Sequence, residues 1–130
     1  MSTIFSKIIA GEIPCYKVAE NTDFFAFLDI NPLNAGHTLV IPKREVDYIF
    51  DLTEDEYAAM NRFAYQVAHA IKQVIPCKRI ATAVIGMEVP HAHIHLVPIN
   101  AEGDLNFTNE RYKATPEQMQ KIAQDIQAKL

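Results

Sequence analysis

Three of the five histidines in this 130-residue chain fall at alternate positions of one stretch, PHAHIHLVP, residues 90–98. Successive side chains of an extended strand point to opposite faces. His91, His93 and His95 are therefore expected in one row, with Ala92, Ile94 and Leu96 turned to the core. Such a row could simply be satisfied by hydrogen bonds. Three rings in register make that costly, because charged neighbours repel and neutral ones carry many donors and acceptors that need partners. Metal binding is a second chemistry, since neutral imidazole is a common ligand. Alternate residues on a strand stand about 6.6 Å apart, so two can bend to one ion, whereas three spanning about 13 Å converge poorly. Phosphate chemistry is a third. An imidazole titrating near pH 6.5 can attack when neutral and donate when protonated, so three rings could divide those roles.

The rest of the chain must hold that row in place. One domain is expected over residues 1–130, a length that supports its own core. The composition, 49% hydrophobic and 22% charged, is that of an ordinary globular protein. A formal net charge of −4 and isolated basic pairs, Lys43-Arg44 and Lys78-Arg79, argue against a nucleic-acid partner. Cys15 and Cys77 form no C-x-x-C motif and read as buried free thiols. The opening residues, with one lysine before a short apolar patch broken by Gly11 and Glu12, predict neither a signal peptide nor a membrane span. A cytoplasmic location is the corresponding expectation.

Residues 3–10 predict a short helix ending at Gly11. Residues 24–32 (FFAFLDINP) and 37–43 (HTLVIPK) predict two strands in an antiparallel unit around the breakers Asn31-Pro32 and Asn34-Ala35-Gly36. Thr53 and Glu56 form a capping box, and Met60, Phe63, Ala64, Val67, Ile71 and Val74 recur at helical spacing, which predicts a helix over 54–75 closed by Pro76. Glu54, Asp55 and Glu56 suit the N-terminus of that helix, and His69 lies on its solvated side. Residues 79–85 predict a strand broken at Gly86, followed by the histidine strand, expected to be central. Thr115 and Pro116 open a C-terminal helix with Met119, Ile122, Ile126 and Leu130 on its apolar face. Residues 99–114 read as a polar loop. The pattern is α+β, with one largely antiparallel sheet.

HAHIHLVP resembles the His-x-His-x-His-x-x signature of the histidine triad (HIT) nucleotide-binding proteins. The resemblance extends to TIFSKIIAGEIPCYKV, FFAFLDINPLNAGHTLVIPKREV and DLTEDE in order, and covers about residues 3–98. It implies a HIT-like domain with about five strands, one long helix and one or two shorter ones. It also implies hydrolysis or nucleotidyl transfer at the α-phosphate of a nucleotide through a covalent nucleotidyl-histidine. By that resemblance His93 is the nucleophile and His95 bonds the phosphate and helps the leaving group. His91 orients His93 through its main-chain carbonyl, and His37 is a fourth member of the network. Asp29 matches the acidic residue that accepts from ribose hydroxyls, and Ile4, Phe5, Ile8, Phe27, Ile30 and Leu39 match positions lining the base pocket.

There are departures as well. Thr3 and Ser6 stand where some members have paired cysteines of a structural zinc site, and Glu45 where those members have a histidine, so no such zinc is expected. The approach to the triad, VIGMEVP, is short, places Met87 and Glu88 at its end, and lacks a polar phosphate contact over residues 82–85. His95, where transferase members carry glutamine, points to the hydrolases. Length and the N-terminal segment favour the nucleoside phosphoramidase branch over the dinucleoside polyphosphate hydrolases. The resulting expectation is a purine-nucleotide (AMP-like) hydrolase that needs no cofactor or metal. It is expected to pair as a homodimer through residues 54–75 and 79–85, with no nucleic-acid or membrane partner. A nucleotide-binding or scaffolding module with little turnover is the alternative, and a zinc hydrolase a third.

Overall fold

A computed structural model describes residues 2–130. Five strands, β1 (Lys17–Glu20), β2 (Phe24–Leu28), β3 (Thr38–Pro42), β4 (Arg79–Ala83) and β5 (Ile94–Ile99), form one sheet in the order β1-β2-β3-β5-β4. Every neighbouring pair is antiparallel. Three helices, α1 (Ile4–Ile9), α2 (Glu54–Val74) and α3 (Pro116–Gln127), complete the α+β fold.

Both faces of β2 and β3 are covered, which is why these strands read as continuous apolar runs. Phe24, Ala26, Leu28 and Val40, with Ala92, Ile94 and Leu96, face α2 and α3 and pack on Met60, Phe63, Val67, Ile71, Met119 and Ile126. Phe25, Phe27, Leu39 and Ile41 face the other way, onto Phe5 of α1. That helix is too short to cover the whole second face. The uncovered part lies over the histidine segment.

The capping box of α2 is complete, with Glu56 N–H on the Thr53 hydroxyl and Thr53 N–H on the Glu56 carboxylate. A second box, Thr115 with Gln118, starts α3. His69 is exposed, its ring tilted against that of Tyr65 at 4.5 Å between centroids.

Several boundaries differ from the sequence reading. β2 ends at Leu28 because Asp29 begins a turn, its carboxylate accepting Asn31 N–H at 2.8 Å. β4 ends at Ala83, and Val84 and Ile85 are exposed beyond it. The ladder of β5 begins only at Ile94, although Ala92 already donates its N–H to Val46 O and joins Ile94 and Leu96 in the main core, while Phe5 sits beside the His91 and His93 rings. β5 is an interior strand between β3 and β4. The edge strand β1 was not anticipated, since Val18 is its one buried side chain. Leu130 lies past the end of α3 and is exposed. Cys15 and Cys77 are free thiols but only half-buried.

Candidate active site

The turn between β2 and β3 brings His37 to the sheet. Gly36 makes this possible: its φ is +86°, and a Cβ there would stand 2.7 Å from Ile75 Cγ1. Asn34 Nδ2 donates to Pro98 O at 2.9 Å, tying the turn to β5. In the β3–β5 pairing, Leu39 lies opposite His95.

Hydrogen bonds fix where each imidazole carries its proton. Leu33 N–H donates to His37 Nδ1 at 3.0 Å. The remaining proton of neutral His37 therefore sits on Nε2, which faces His95 Nδ1 at 3.0 Å. His95 accepts there and carries its own proton on Nε2. His93 Nδ1 lies 2.7 Å from His91 O. A carbonyl only accepts, so this nitrogen donates and the lone pair of neutral His93 is on Nε2, which has no protein partner among the described residues. The pair thus presents one bare nitrogen, on His93, and one N–H, on His95. Their ring centroids are 4.9 Å apart.

Burial keeps the supporting rings neutral. It pushes His37 down to about 3, with the His95 and Arg111 charges adding to the effect. It pushes His95 down to about 4, again with His93 and Arg111 adding. His91 is lowered by burial, opposed by its bond to Pro42 O. Asp29 is raised by burial, although the Asn31 amide and the Arg111 charge pull the other way. His37 Nε2 lies 3.7 Å from Asp29 Oδ2, but with His37 neutral this is not an ion pair.

A cleft of about 360 Å³ opens over His93 and His95. Asp29, Phe5 and Leu39 line it, as the sequence reading expected. The other anticipated apolar residues do not. Ile8 and Phe27 pack behind Phe5 and Leu39, while Ile4 and Ile30 are 50% and 78% exposed and off the lining. Nor do all the triad rings share the opening: His91 is fully buried, and His37 backs His95 without reaching the cleft. The loop 85–89 forms one rim, bringing Met87 and the exposed Glu88.

Phe107 and Arg111, from the segment read as a polar loop, also line the cleft. The Phe107 ring lies 4.7 Å from that of His95. The Arg111 guanidinium donates to Asn31 O and Phe107 O and sits over the Phe107 ring. An aromatic and an arginine four residues apart in a polar stretch were the only signal.

Asp29, His37 and His95 bring ligand atoms within 4.8 Å of one another, close enough for one cation. A metal needs a lone pair on each donor. The Leu33 amide instead directs the His37 proton onto the nitrogen that would have to face the ion. The arrangement suits a chain of proton positions better than a metal centre.

Away from the cleft, Thr3, Ser6, Glu45 and His91 meet. Thr3 Oγ1 lies 2.8 Å from His91 Nδ1, and Glu45 Oε1 accepts Thr3 N–H at 2.9 Å and the Ser6 hydroxyl at 2.7 Å. Two hydroxyls and a carboxylate are oxygen donors, unlike the nitrogen and thiolate ligands typical of structural zinc.

The cleft opens over His93 and His95, two of the three histidines of the alternating motif. The HIT domain profile matches residues 10–102, and the chain belongs to the HIT domain family. It is 32% identical to the adenosine 5′-monophosphoramidase hnt1 of Schizosaccharomyces pombe, over all of this chain and 99% of that one. Among solved structures it resembles a Hit-like protein from Bartonella henselae, crystallised with an unknown ligand, at a TM-score of 0.85 and 31% identity, covering 99% of this chain and 96% of that one. A Zn-bound histidine triad family protein from Mycobacterium smegmatis gives a TM-score of 0.85 at 27% identity, covering 99% and 93%.

Proposed function

We propose that this chain is a nucleotide hydrolase that cleaves the P–N bond of nucleoside 5′-phosphoramidates through a nucleotidyl-His93 intermediate. The observation that carries the proposal is the 2.7 Å bond from His93 Nδ1 to His91 O, which leaves Nε2 as the nucleophilic atom. In the first step Nε2 forms a bond to the α-phosphorus and the P–N bond breaks; the amine leaves with a proton taken from water, while the His95 Nε2–H hydrogen-bonds a phosphoryl oxygen as charge builds on it. The His93 ring, still protonated at Nδ1, gains positive charge, which the His91 carbonyl stabilises. In the second step water attacks phosphorus, the Nε2–P bond breaks and the water's proton passes to solvent, which leaves neutral His93 and the nucleoside monophosphate.

Asp29 would hold the ribose hydroxyls, as an acceptor suited to a diol. Phe5, Leu39 and Phe107 offer apolar surface for a purine. The similarity to an adenosine 5′-monophosphoramidase favours adenosine 5′-phosphoramidate as the substrate to try. Acid-quenched single-turnover reactions with the α-labelled compound should trap label on the protein, on a peptide containing His93, alongside AMP release. AMP binding without turnover or trapped label would leave a binding module in its place. Turnover abolished by a chelator would favour a zinc hydrolase.

A homodimer is part of the same proposal. β4 is an edge strand, and a groove between it and α2 is lined by Ile49, Tyr57, Ala64, Tyr65, Ala68 and Val84. Tyr48, Phe50, Tyr65 and Val84 are exposed beside it. An unpaired edge next to apolar surface is suited to pairing with a second copy.

A further inference from the structure

We propose that Thr3 is a positioning residue for His93, acting through His91, with Ser6 and Glu45 holding Thr3 in place. The proposal rests on His93 being the nucleophile, but its first readout does not need turnover.

His91 is fully buried and its ring does not line the cleft, so its part in any chemistry runs through its main chain. That main chain supplies the carbonyl that orients His93. The ring is held on both nitrogens. Nε2 faces Pro42 O at 2.8 Å and must donate to it, so in neutral His91 the other nitrogen, Nδ1, accepts. The hydroxyl of Thr3, 2.8 Å away, is its donor.

Thr3 Oγ1 has two acceptors within reach, Ser6 Oγ at 3.2 Å and His91 Nδ1 at 2.8 Å, and the shorter contact takes its proton. Thr3 spends its hydroxyl proton on His91, and its oxygen accepts Ser6 N–H at 3.0 Å. Ser6 passes its hydroxyl proton to Glu45, which also takes Thr3 N–H. The same contacts account for the depression of the Glu45 carboxyl, caused first by the Thr3 amide and then by the Ser6 hydroxyl. If the hydroxyl were only a helix cap, the Ser6 amide would be partner enough. The His91 contact is additional, and it spans 88 positions of sequence to the residue that aims the nucleophile.

Loss of the cap and loss of positioning have different consequences. α1 carries Phe5, which lines the cleft with its ring 5.1 Å from that of His93. A frayed α1 would disturb nucleotide binding. A loosened His91 would misdirect His93 and leave binding intact.

The first experiment is ¹⁵N NMR of the histidine rings in the unaltered protein. It should find His91 as the Nε2–H form with an accepting Nδ1, and the Nδ1–H form overturns the proposal whether or not the protein is an enzyme. The second compares Thr3→Val with Thr3→Ser on adenosine 5′-phosphoramidate and on AMP binding. Thr3→Val is expected to lower kcat about 10- to 100-fold, the scale of a small misplacement of reacting groups, while AMP affinity changes by less than about twofold. Thr3→Ser should restore the rate and the ring signals. An unchanged kcat in Thr3→Val, or parallel losses of kcat and AMP affinity, would reduce Thr3 to a cap. If the unaltered protein turns over no phosphoramidate, the hydrolase reading fails while the NMR result still decides the ring geometry.

Discussion

A histidine is useful to phosphate chemistry only if the correct nitrogen is bare, and in this cleft main-chain groups make that choice. His91 O takes the His93 proton away from the cleft, and Leu33 N–H drives the His95 proton toward it through His37. His93→Ala should therefore remove labelled adenylyl-protein and turnover together. His95→Ala should retain some labelling and lose about 10²- to 10³-fold in rate, the usual worth of one hydrogen-bond donor to developing oxygen charge. Quenched single-turnover measurements separate the two. The same buried rings bear on stability. Their folded-state values, about 3 for His37 and about 4 for His95, lie below the unfolded value near 6.5. Between those limits the unfolded chain binds more protons, so stability is complete above about pH 6.5 and is lost as pH falls toward 4 and 3. Thermal melts from pH 7 to 4 should show Tm falling, and His37→Gln should flatten that fall. At this scale the sequence was most informative: alternation alone separated His93 and His95 from Ala92, Ile94 and Leu96. It did not separate His91, whose ring turns to Thr3 and Pro42. That choice depends on partners 88 and 49 positions away.

At the scale of elements, the decisive piece is the turn that delivers His37. Gly36→Ala puts an L side chain at φ +86° and a carbon 2.7 Å from Ile75 Cγ1. It should cost about 1–3 kcal/mol by chemical denaturation, the range for a strained backbone position, and should lower turnover more than AMP affinity. A loss of stability without a kinetic effect would show that His37 tolerates the shift. Long periodic elements were legible: the capping box of α2, the Thr115-Pro116 start of α3 and the apolar runs of β2 and β3 follow from local chemistry. β1 was not, because four residues with one buried valine carry no periodic signal, and β2 supplies its pairing partner. The loop bearing Phe107 and Arg111 was illegible for a related reason. Its polar composition describes its solvent side, while its place over the cleft comes from Arg111 bonding Asn31 O and Tyr112 N–H bonding Pro32 O.

For the whole molecule, the sheet has an interior that holds the histidines and an outer strand, β4, with apolar groups beside it. Sedimentation of the unaltered protein at micromolar concentration should give a dimer. Tyr65→Glu combined with Val84→Glu should give a folded monomer, because charges on a buried apolar contact are costly to desolvate. A monomeric unaltered protein would end that proposal. β5 joins the two regions, since Ile94 and Leu96 reach the groove while His93 and His95 reach the cleft. A second copy settling on α2 would thus press on the reverse of the strand that carries the chemistry.

The amide of Leu33 has a consequence for how such a protein can be probed. The group that assigns the His95 proton belongs to the backbone, and every side-chain replacement at position 33 except proline leaves it in place. An alanine survey would pass over the residue as filler. Exchange of that one peptide linkage for an ester removes the N–H, at the cost of a weaker Pro32 carbonyl, and would reveal that a leucine directs the protonation of an imidazole it does not touch.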